Sequence, residues 1–499
     1  MPRPVPLALA AALAAGPAVA QASPYVALDD PSLPLFEHLV ARGEVADPSP
    51  MVRPFRRRDA VEALAAAAAA GQGDTALVKL LLVEWTDPTA KAWGEVGGRA
   101  GLQAYTAAGR DPWRPEGPGG TRPYGEVAAG GAFDKVVART RLAIEPRLSV
   151  DPDWPGRRDL EVVGRVIEAY GSAQFAYGSV FFGQLDRHWG PRGEPGAAAS
   201  GFRYPRTDVG IELGTRAIRL RSFWTDLRDE TDSTGATVHR YFAAHRIDLR
   251  LSGRLTVGLW ETVLLAGTDR EFESIYRNPF SLSLLANTYG LGGDGNVMVG
   301  ADATWRAGGA VTIRAELAVD DVNYKERDDP DRAPDRLGLA LGASGPLGTR
   351  YSWSALYALA TSTAFRAADP FESFIDAGVG IGRIATDYDR LEVRVGIPLA
   401  GAWLLQPEAS LLRQGEGRLT DPFPPPGERG STPQLFIGTV ERTWALGARL
   451  DGRTGPLALA ARAGYHLVEN AGHAPGATDH RFEGRLQATL GLGRRGVLP

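Results

Sequence analysis

Arginine and aromatic side chains occur together in several long, turn-rich segments of this 499-residue chain. A guanidinium group binds a carboxylate through two parallel hydrogen bonds, and aromatic rings stack on the apolar faces of sugar rings. These residue types therefore suit the binding of a polar or acidic ligand. The candidates, from 186–206, the region of 226–238, and 266–296, are Asp186, Arg187, Trp189, Arg192, Tyr204, Trp224, Arg228, Tyr276 and Arg277.

Sequence patterns for catalysis and metal binding are absent. The seven histidines have no metal-ligand spacing, and no G-x-S-x-G motif is present. The chain has no cysteine, which excludes disulfides and thiolate metal sites. Asp320 and Asp321 are adjacent on a predicted strand and point to opposite faces, so they do not form an acid/base pair. We expect no enzyme, cofactor or metal site, although carboxylate pairs formed between strands are left open.

A strict alternation of apolar and polar residues predicts the elements that carry these side chains. The segments 310–320, 389–399 and 481–490 all show it; the apolar positions of 389–399 are Leu391, Val393, Val395, Ile397 and Leu399. Each such strand has one apolar and one charged face. A soluble sandwich buries the apolar faces between two sheets, whereas a membrane barrel turns them towards lipid.

The first twenty residues favour the barrel. Residues 1–20 combine an early charge at Arg3, an apolar run from Leu7 to Ala15 and Ala-Val-Ala at 18–20, which is typical of a cleaved signal peptide. No later apolar run reaches the length of a membrane-spanning helix, so we expect an exported protein that crosses the membrane with strands. A net charge of −4, with both signs abundant, does not indicate nucleic-acid binding.

Residues 21–95 predict a small α-helical module that faces the periplasm. Apolar residues have helical spacing in 33–40, 61–70 is rich in alanine, and 76–85 is amphipathic. For the basic residues Arg53 and 56–58, we favour a solvated helix start over contact with an acidic partner.

Residues 96–499 predict an all-β, transmembrane antiparallel barrel of about eighteen strands, in which long and short connections alternate. The segment 373–384 resembles a strand on its own. Counting it as a barrel strand would place the long 415–433 connection on the periplasmic side, where bacterial barrels have short turns. We therefore assign it to an external loop. The predicted strands are 97–107, 122–133, 136–149, 158–171, 174–185, 207–214, 216–225, 239–251, 254–265, 297–306, 310–321, 336–343, 350–360, 389–399, 402–414, 434–450, 456–468 and 480–492.

The segment 183–191, Gly-Gln-Leu-Asp-Arg-His-Trp-Gly-Pro, resembles the hallmark of the capsule-assembly Wzi family, in which a barrel strand ends in Asp/Asn-Arg-x-Trp-Gly-Pro. A second succession is similar to that family in order and spacing: 245–249, 259–263, 276–280, 296–305 and 320–321. The resemblance covers roughly 160–325. This chain departs from the pattern after Trp-Gly-Pro, where Arg-Gly-Glu-Pro follows, and in its final residues, which are not aromatic.

The resemblance implies a lectin-like outer-membrane barrel that attaches or organises capsular or other surface polysaccharide. Implied partners are an acidic surface polysaccharide, outer-membrane lipid and lipopolysaccharide, and the barrel-assembly machinery; we expect a monomer and no nucleic acid. Charged lumen residues are expected to cross-pair and occlude the pore: Arg139, Arg141, Arg246, Asp248, Arg250, Arg314, Glu316, Arg390, Arg394, Arg481 and Arg485.

Two other functions stay open: a pore for small solutes, and a purely structural envelope barrel. For any single lumen arginine, we favour a wall-to-wall salt bridge over a ligand contact. For Trp189-Gly190-Pro191, we favour a structural alternative, a rigid turn whose indole packs a loop into the barrel mouth.

Overall fold

The computed structural model describes residues 21–322 and 328–498, so the predicted signal peptide lies outside the described residues. Eighteen long strands form one antiparallel sheet in which neighbours in sequence are paired, and the last strand pairs with the first to close a barrel. The strands are β1 Ala92–Tyr105, β2 Gly120–Phe133, β3 Val136–Ile144, β4 Gly164–Phe175, β5 Gly178–Gln184, β6 Thr207–Gly214, β7 Ile218–Asp226, β8 Thr237–Arg250, β9 Leu255–Gly267, β10 Asn296–Arg306, β11 Thr312–Asp321, β12 Arg336–Leu347, β13 Tyr351–Ala360, β14 Tyr388–Pro398, β15 Ala402–Gln414, β16 Glu441–Thr454, β17 Leu457–Glu469 and β18 Thr478–Val497.

The two faces of the sheet have opposite chemistry. On β14, Leu391 and Val393 point outward and are exposed, whereas Arg390 and Glu392 point inward and are buried. This is the arrangement of a barrel whose outer wall meets lipid. The predicted transmembrane barrel of eighteen strands is therefore confirmed. Among the described residues, no helix combines the length and apolar character needed to cross a membrane.

Each predicted strand corresponds to one observed strand, and long connections alternate with short turns throughout. We call the two ends of the barrel the loop end and the turn end. The segment 373–384 forms a small ribbon, Ile375–Asp376 with Val379–Gly380, inside the connection 361–387 and outside the barrel sheet. Some boundaries differ. The predicted strand 136–149 ends at Ile144 because Pro146, which has no N–H for a ladder, begins a 3-10 turn.

In the described part of the chain, three helices precede the barrel: α1 Leu33–Ala41, α2 Arg57–Ala69 and α3 Thr75–Trp85. They share one apolar core, which also includes Ala402 and Leu404 at the turn end of β15. The guanidinium group of Arg42 donates to the carbonyl oxygens of Thr349 and Tyr351, at 2.7 and 2.8 Å, in the turn between β12 and β13. The helices therefore close the turn end.

The basic residues before and at the start of α2 are buried. Arg53 pairs with Glu37 at 2.9 Å, Arg56 with Glu212 on β6 at 3.1 Å, and Arg57 with Glu95 on β1 at 2.9 Å. The interpretation of this segment as a solvated helix start is therefore wrong. Arg56 and Arg57 attach the N-terminal segment to the inner wall of the barrel, whereas Arg53 pairs within that segment.

Candidate functional site

The connection between β5 and β6, residues 185–206, folds into the barrel; we call it the inner loop. Its short strand His188–Trp189 pairs with Val52–Arg53 of the N-terminal segment. The indole of Trp189 is 3% exposed and packs edge-on against Phe223, with ring centroids 5.2 Å apart. The Trp-Gly-Pro motif therefore has the geometry of the structural alternative, in which the indole packs the loop into the barrel.

Two arginines of the motif region hold the inner loop in place. Arg187 donates two hydrogen bonds to the carboxylate of Asp208, at 2.9 and 2.6 Å. Arg192 pairs with Glu37 and with Asp47, the latter at 3.0 Å, and so joins the inner loop to the N-terminal segment. Both guanidinium groups already have carboxylate partners within the protein.

Asp186 and Tyr204 lie at the two ends of the same loop. The hydroxyl of Tyr204 donates to Asp151 at 2.6 Å. Burial raises the pKa of Asp186 to about 6 against the opposing effect of Arg110, and its Oδ1 has no hydrogen-bond partner among the described residues. Of these two candidates, only Asp186 has an atom free for a further partner.

The remaining candidates lie elsewhere. Trp224 and Tyr276 pack together on the outside of the barrel wall. Arg277 is next to Tyr276 in the same external connection, with its guanidinium 5.5 Å from the ring centre of Phe272. The N–H of Arg228 donates to Asp376 at 3.1 Å at the loop end. The structure thus divides the nine residues between the lumen, the loop end and the outer wall.

Most of the predicted lumen charges take part in ion pairs with the wall, the inner loop or the connection 361–387. The pairs include Arg139–Glu168 at 2.6 Å, Arg141–Glu126 at 2.9 Å, Arg246–Asp302 at 2.5 Å, Asp248–Arg246 at 2.7 Å, Glu316–Arg383 at 2.8 Å, Arg390–Glu194 at 2.6 Å, Arg394–Glu408 at 3.2 Å and Arg481–Asp479 at 3.5 Å. Arg314 instead donates to Ser344 Oγ, Arg485 donates to backbone carbonyls of 107–109, and Arg250 is exposed at the turn end.

Among the cavities of the lumen, two adjoin each other. The turn-end cavity, of about 660 Å³, lies between α1 and the walls of β12 to β17. The loop-end cavity, of about 350 Å³, lies beneath residues 106–115 of the β1–β2 connection. Residues 193–195 and Phe202 of the inner loop line both cavities. Arginines outnumber carboxylates in each lining, so both spaces favour anionic groups.

The loop-end cavity combines arginines with aromatic rings. The indole of Trp113 stacks on the ring of His466, with centroids 5.9 Å apart and planes 13° apart, and the guanidinium of Arg462 lies 4.6 Å from the Trp113 ring. Arg110 lies over the ring of Tyr204 at 4.2 Å, and its Nε and one terminal nitrogen have no hydrogen-bond partner in the described parts of the chain.

Arg110 and Trp113 are not among the candidates predicted from the sequence. The segment 110–114, Arg-Asp-Pro-Trp-Arg, has the same arginine and aromatic composition as the three segments chosen, and it too lies in a predicted long connection. This shared composition could have identified both residues from the sequence. The burial of Trp113 beside His466 was not predictable, because it depends on contact between β17 and a loop far from it in sequence.

One row on the outer wall has residue types that could perform hydrolysis. Ser222, His245 and Glu261 pair in register on β7, β8 and β9, and His245 Nδ1 lies 3.1 Å from Glu261. However, neither Ser222 Oγ nor His245 Nε2 has a hydrogen-bond partner among the described residues, so the serine and the histidine are not hydrogen-bonded to each other in this structure. No group of three potential metal ligands occurs within the described ranges either.

This architecture, a closed barrel with a lipid-facing wall and inward-folded segments, defines the class of outer-membrane β-barrels. No protein-family model and no curated protein matches the chain. Its fold is similar to that of Wzi, an outer-membrane protein involved in group 1 capsule assembly in Escherichia coli and described as a carbohydrate-binding β-barrel. That similarity covers 94% of this chain and 99% of Wzi, with a TM-score of 0.65 and 14% identity.

Two Pseudomonas aeruginosa barrels show a weaker similarity over 81% of this chain. OccK3 (OpdO) matches over 96% of its own length with a TM-score of 0.45 and 13% identity, and the outer-membrane protein OprD over 94% with a TM-score of 0.45 and 11% identity. The resemblance to the Wzi family inferred from sequence motifs is confirmed in the fold.

Proposed function

We propose that this protein is a lectin-like outer-membrane barrel that attaches or organises an acidic surface polysaccharide on the cell. Two observations support the proposal: the fold shared with the carbohydrate-binding Wzi barrel, and the arginine and aromatic lining of the loop-end cavity. The second observation carries it. Arg110 has free donors beside an aromatic pair, Trp113 and His466, in a space large enough for a sugar unit.

The proposal includes a location and a set of partners. The chain is exported through a cleaved signal peptide, is inserted as a monomer by the barrel-assembly machinery, and contacts outer-membrane lipid and lipopolysaccharide. The helical segment then faces the periplasm and the long connections face the exterior, as in bacterial barrels generally. Binding requires no metal or cofactor, and the protein acts as a binding protein rather than an enzyme.

The division of roles within the cavity follows from its contacts. Arg462 has Glu408 at 2.6 Å as a partner, and Arg390 is paired with Glu194, so these guanidinium groups support the aromatic surface of Trp113. The Nε and one terminal nitrogen of Arg110 are buried without a partner among the described residues, and in this proposal the side chain turns to bind an incoming carboxylate through two hydrogen bonds. Trp113 provides the apolar face on which a sugar ring stacks.

The test is binding of the detergent-folded barrel to surface polysaccharide isolated from its own bacterium, measured by calorimetry. We expect saturable binding that weakens with added salt. Arg110→Ala and Trp113→Ala should each weaken binding about tenfold, or about 1.4 kcal/mol, as expected for one charged hydrogen bond or one stacked ring.

Arg157→Ala is the matched control, because Arg157 is an exposed arginine of another long connection and pairs only with Asp159 at 2.5 Å among its described contacts. It should leave the affinity unchanged. Absence of binding by folded wild-type protein would refute the proposed function. Equal effects of Arg157→Ala and Arg110→Ala would remove the cavity from the site.

A pore for small solutes is the second candidate, and the contact between the two cavities favours it. They share the lining residues Arg449, Arg462 and Arg485, so a basic path extends over much of the lumen. A pore predicts steady single-channel conductance with anion selectivity in a planar bilayer, whereas an occluded lectin predicts none.

A further inference from the structure

The connection between β9 and β10, residues 268–295, folds over the outside of the barrel instead of extending from its rim; we call it the outer flap. Its helices are α4 Ser274–Arg277 and α5 Ser283–Thr288. Outward-facing Ala243, Val263 and Leu265 of the wall are fully buried beneath Tyr276 and Ala286 of the flap.

A polar contact fixes the flap against the wall. The carboxylate of Glu261, which points outward from the middle of β9, accepts hydrogen bonds from the backbone N–H groups of Ser283 at 2.6 Å and Leu284 at 3.2 Å. Glu261 also pairs with His245 at 3.1 Å. An uncovered charge on a lipid-facing wall is destabilising, and the flap removes this one from lipid.

The flap lies at the same height as outward-facing apolar residues of the wall, which we call the apolar belt. Glu261 pairs in register with Val299, which in turn pairs with Val319. Two residues nearer the turn end, Leu259 and Leu317 point outward and are 48% and 45% exposed. The contact surface of the flap is therefore continuous with the part of the wall that faces lipid.

The outer face of the flap is itself apolar. Between Arg277 and Asp294 the sequence has no charged residue. Six large apolar side chains of this stretch are exposed: Phe280, Leu282, Leu284, Leu285, Tyr289 and Leu291. Exposed apolar patches of this kind mark interaction surfaces. Backbone N–H groups of this stretch have partners within the flap or on Glu261, among them those of Phe280, Ala286 and Tyr289, as an apolar surrounding requires.

We propose that the outer flap is embedded among the acyl chains of the outer leaflet and that Glu261 anchors it there. Continuity with the lipid-facing belt identifies lipid as the occupant of the apolar face. The flap thereby widens the lipid-facing surface beside β8 to β10 beyond that of the strands alone. This inference is independent of the polysaccharide site in the lumen.

The chain has no cysteine, so a single introduced thiol can report on its surroundings. Phe280→Cys and Tyr289→Cys, each labelled with a fluorophore, are placed in phosphatidylcholine nanodiscs that contain lipid with a nitroxide on the acyl chain. Leu317→Cys on the belt and Ser233→Cys on the exposed β7–β8 connection are the references. We expect both flap positions to be quenched like position 317.

Quenching like that at position 233 would overturn the proposal. Disulfide formation between two Tyr289→Cys chains would identify a second copy of the protein as the occupant and would also overturn it. Glu261→Ala, which removes both acceptor oxygens, combined with Tyr289→Cys, should lower quenching at the flap while Leu317→Cys in the same background stays quenched. Undiminished quenching at the flap would refute the anchoring role of Glu261.

Discussion

Trp189 and Trp113 show how residues of one type take different roles at the residue scale. Trp189 belongs to the motif that the sequence makes conspicuous, yet its indole is buried against Phe223 and its backbone pairs with Val52. Trp113 belongs to no motif, but it lines a cavity beside arginine donors. A conspicuous motif in a long connection can therefore be a packing device, while the surface that we propose for binding lies on a less distinctive segment.

His38 gives the barrel a pH dependence. Its Nδ1 lies 2.8 Å from Ser352 Oγ, and burial together with the nearby Arg42 lowers the pKa of His38 to about 4, below the value of 6.5 for a free histidine. Between pH 4 and pH 6.5, His38 binds a proton when α1 is detached from the barrel but not when α1 is docked against it. The stability of α1 docking is therefore fully present above pH 6.5 and is lost as pH falls towards 4, by up to about 3 kcal/mol.

Amide hydrogen exchange of α1 at pH 7.5 and pH 5 measures this effect. We expect faster exchange at the lower pH, after correction for the intrinsic rate, and a smaller difference in His38→Gln. Burial and Arg53 also lower the pKa of His188 to about 4, so part of the dependence should persist in the variant. An identical pH response of wild type and His38→Gln would contradict the assignment.

At the scale of elements, the inner loop depends on close backbone approach at Gly190. Its φ is +151°, and a Cβ there would lie 2.7 Å from Gly196 Cα and 2.9 Å from Glu316 Oε1. Because the loop is enclosed by the barrel wall, these neighbours cannot move away freely. We expect Gly190→Ala to loosen the loop and to expose Arg187 and Arg192 to trypsin in the folded barrel.

Gly235→Ala separates crowding from backbone strain. Gly235 also has a positive φ, +88°, but nothing lies within 4 Å of the position of its Cβ. We expect this variant to keep wild-type resistance to trypsin and a wild-type thermal transition. Equal sensitivity of the two variants would show that enclosure of the inner loop is not what fixes Gly190.

The strands were predictable because each one encodes its own surroundings. Leu391 and Val393 alternate with Arg390 and Glu392, so lipid and lumen are distinguished within a single segment. The length and composition of the inner loop do not distinguish it from an external connection. Its actual place depends on pairs such as Arg192–Asp47, which join segments far apart in sequence. No local pattern records such contacts, and for this reason the candidate site was only partly predictable.

At the scale of the whole molecule, the inner loop and the N-terminal segment both contribute to occluding the lumen, together with the connection 361–387. The first two meet through the pairing of Val52–Arg53 with His188–Trp189 and through the bonds of Arg192 to Glu37 and Asp47. Gln184 and Thr207, at the ends of β5 and β6, are register partners, so a tight turn can replace residues 185–206 without altering the strands. This replacement removes the inner loop from the lumen while keeping the strands of the barrel.

We expect wild-type protein to show no steady conductance in a planar bilayer and the shortened variant to conduct steadily, with anion selectivity, because Arg394, Arg449 and Arg462 remain on the wall. Replacing 470–477 by a tight turn between the register partners Glu469 and Thr478 is the matched control, and it should stay closed. Steady conductance of the wild type would instead favour the pore. If the shortened variant conducts but still binds polysaccharide, Arg110 and Trp113 suffice for binding without the inner loop. Occlusion of the lumen then has a separate role, which is to keep the envelope sealed while the polymer is held at the cell surface.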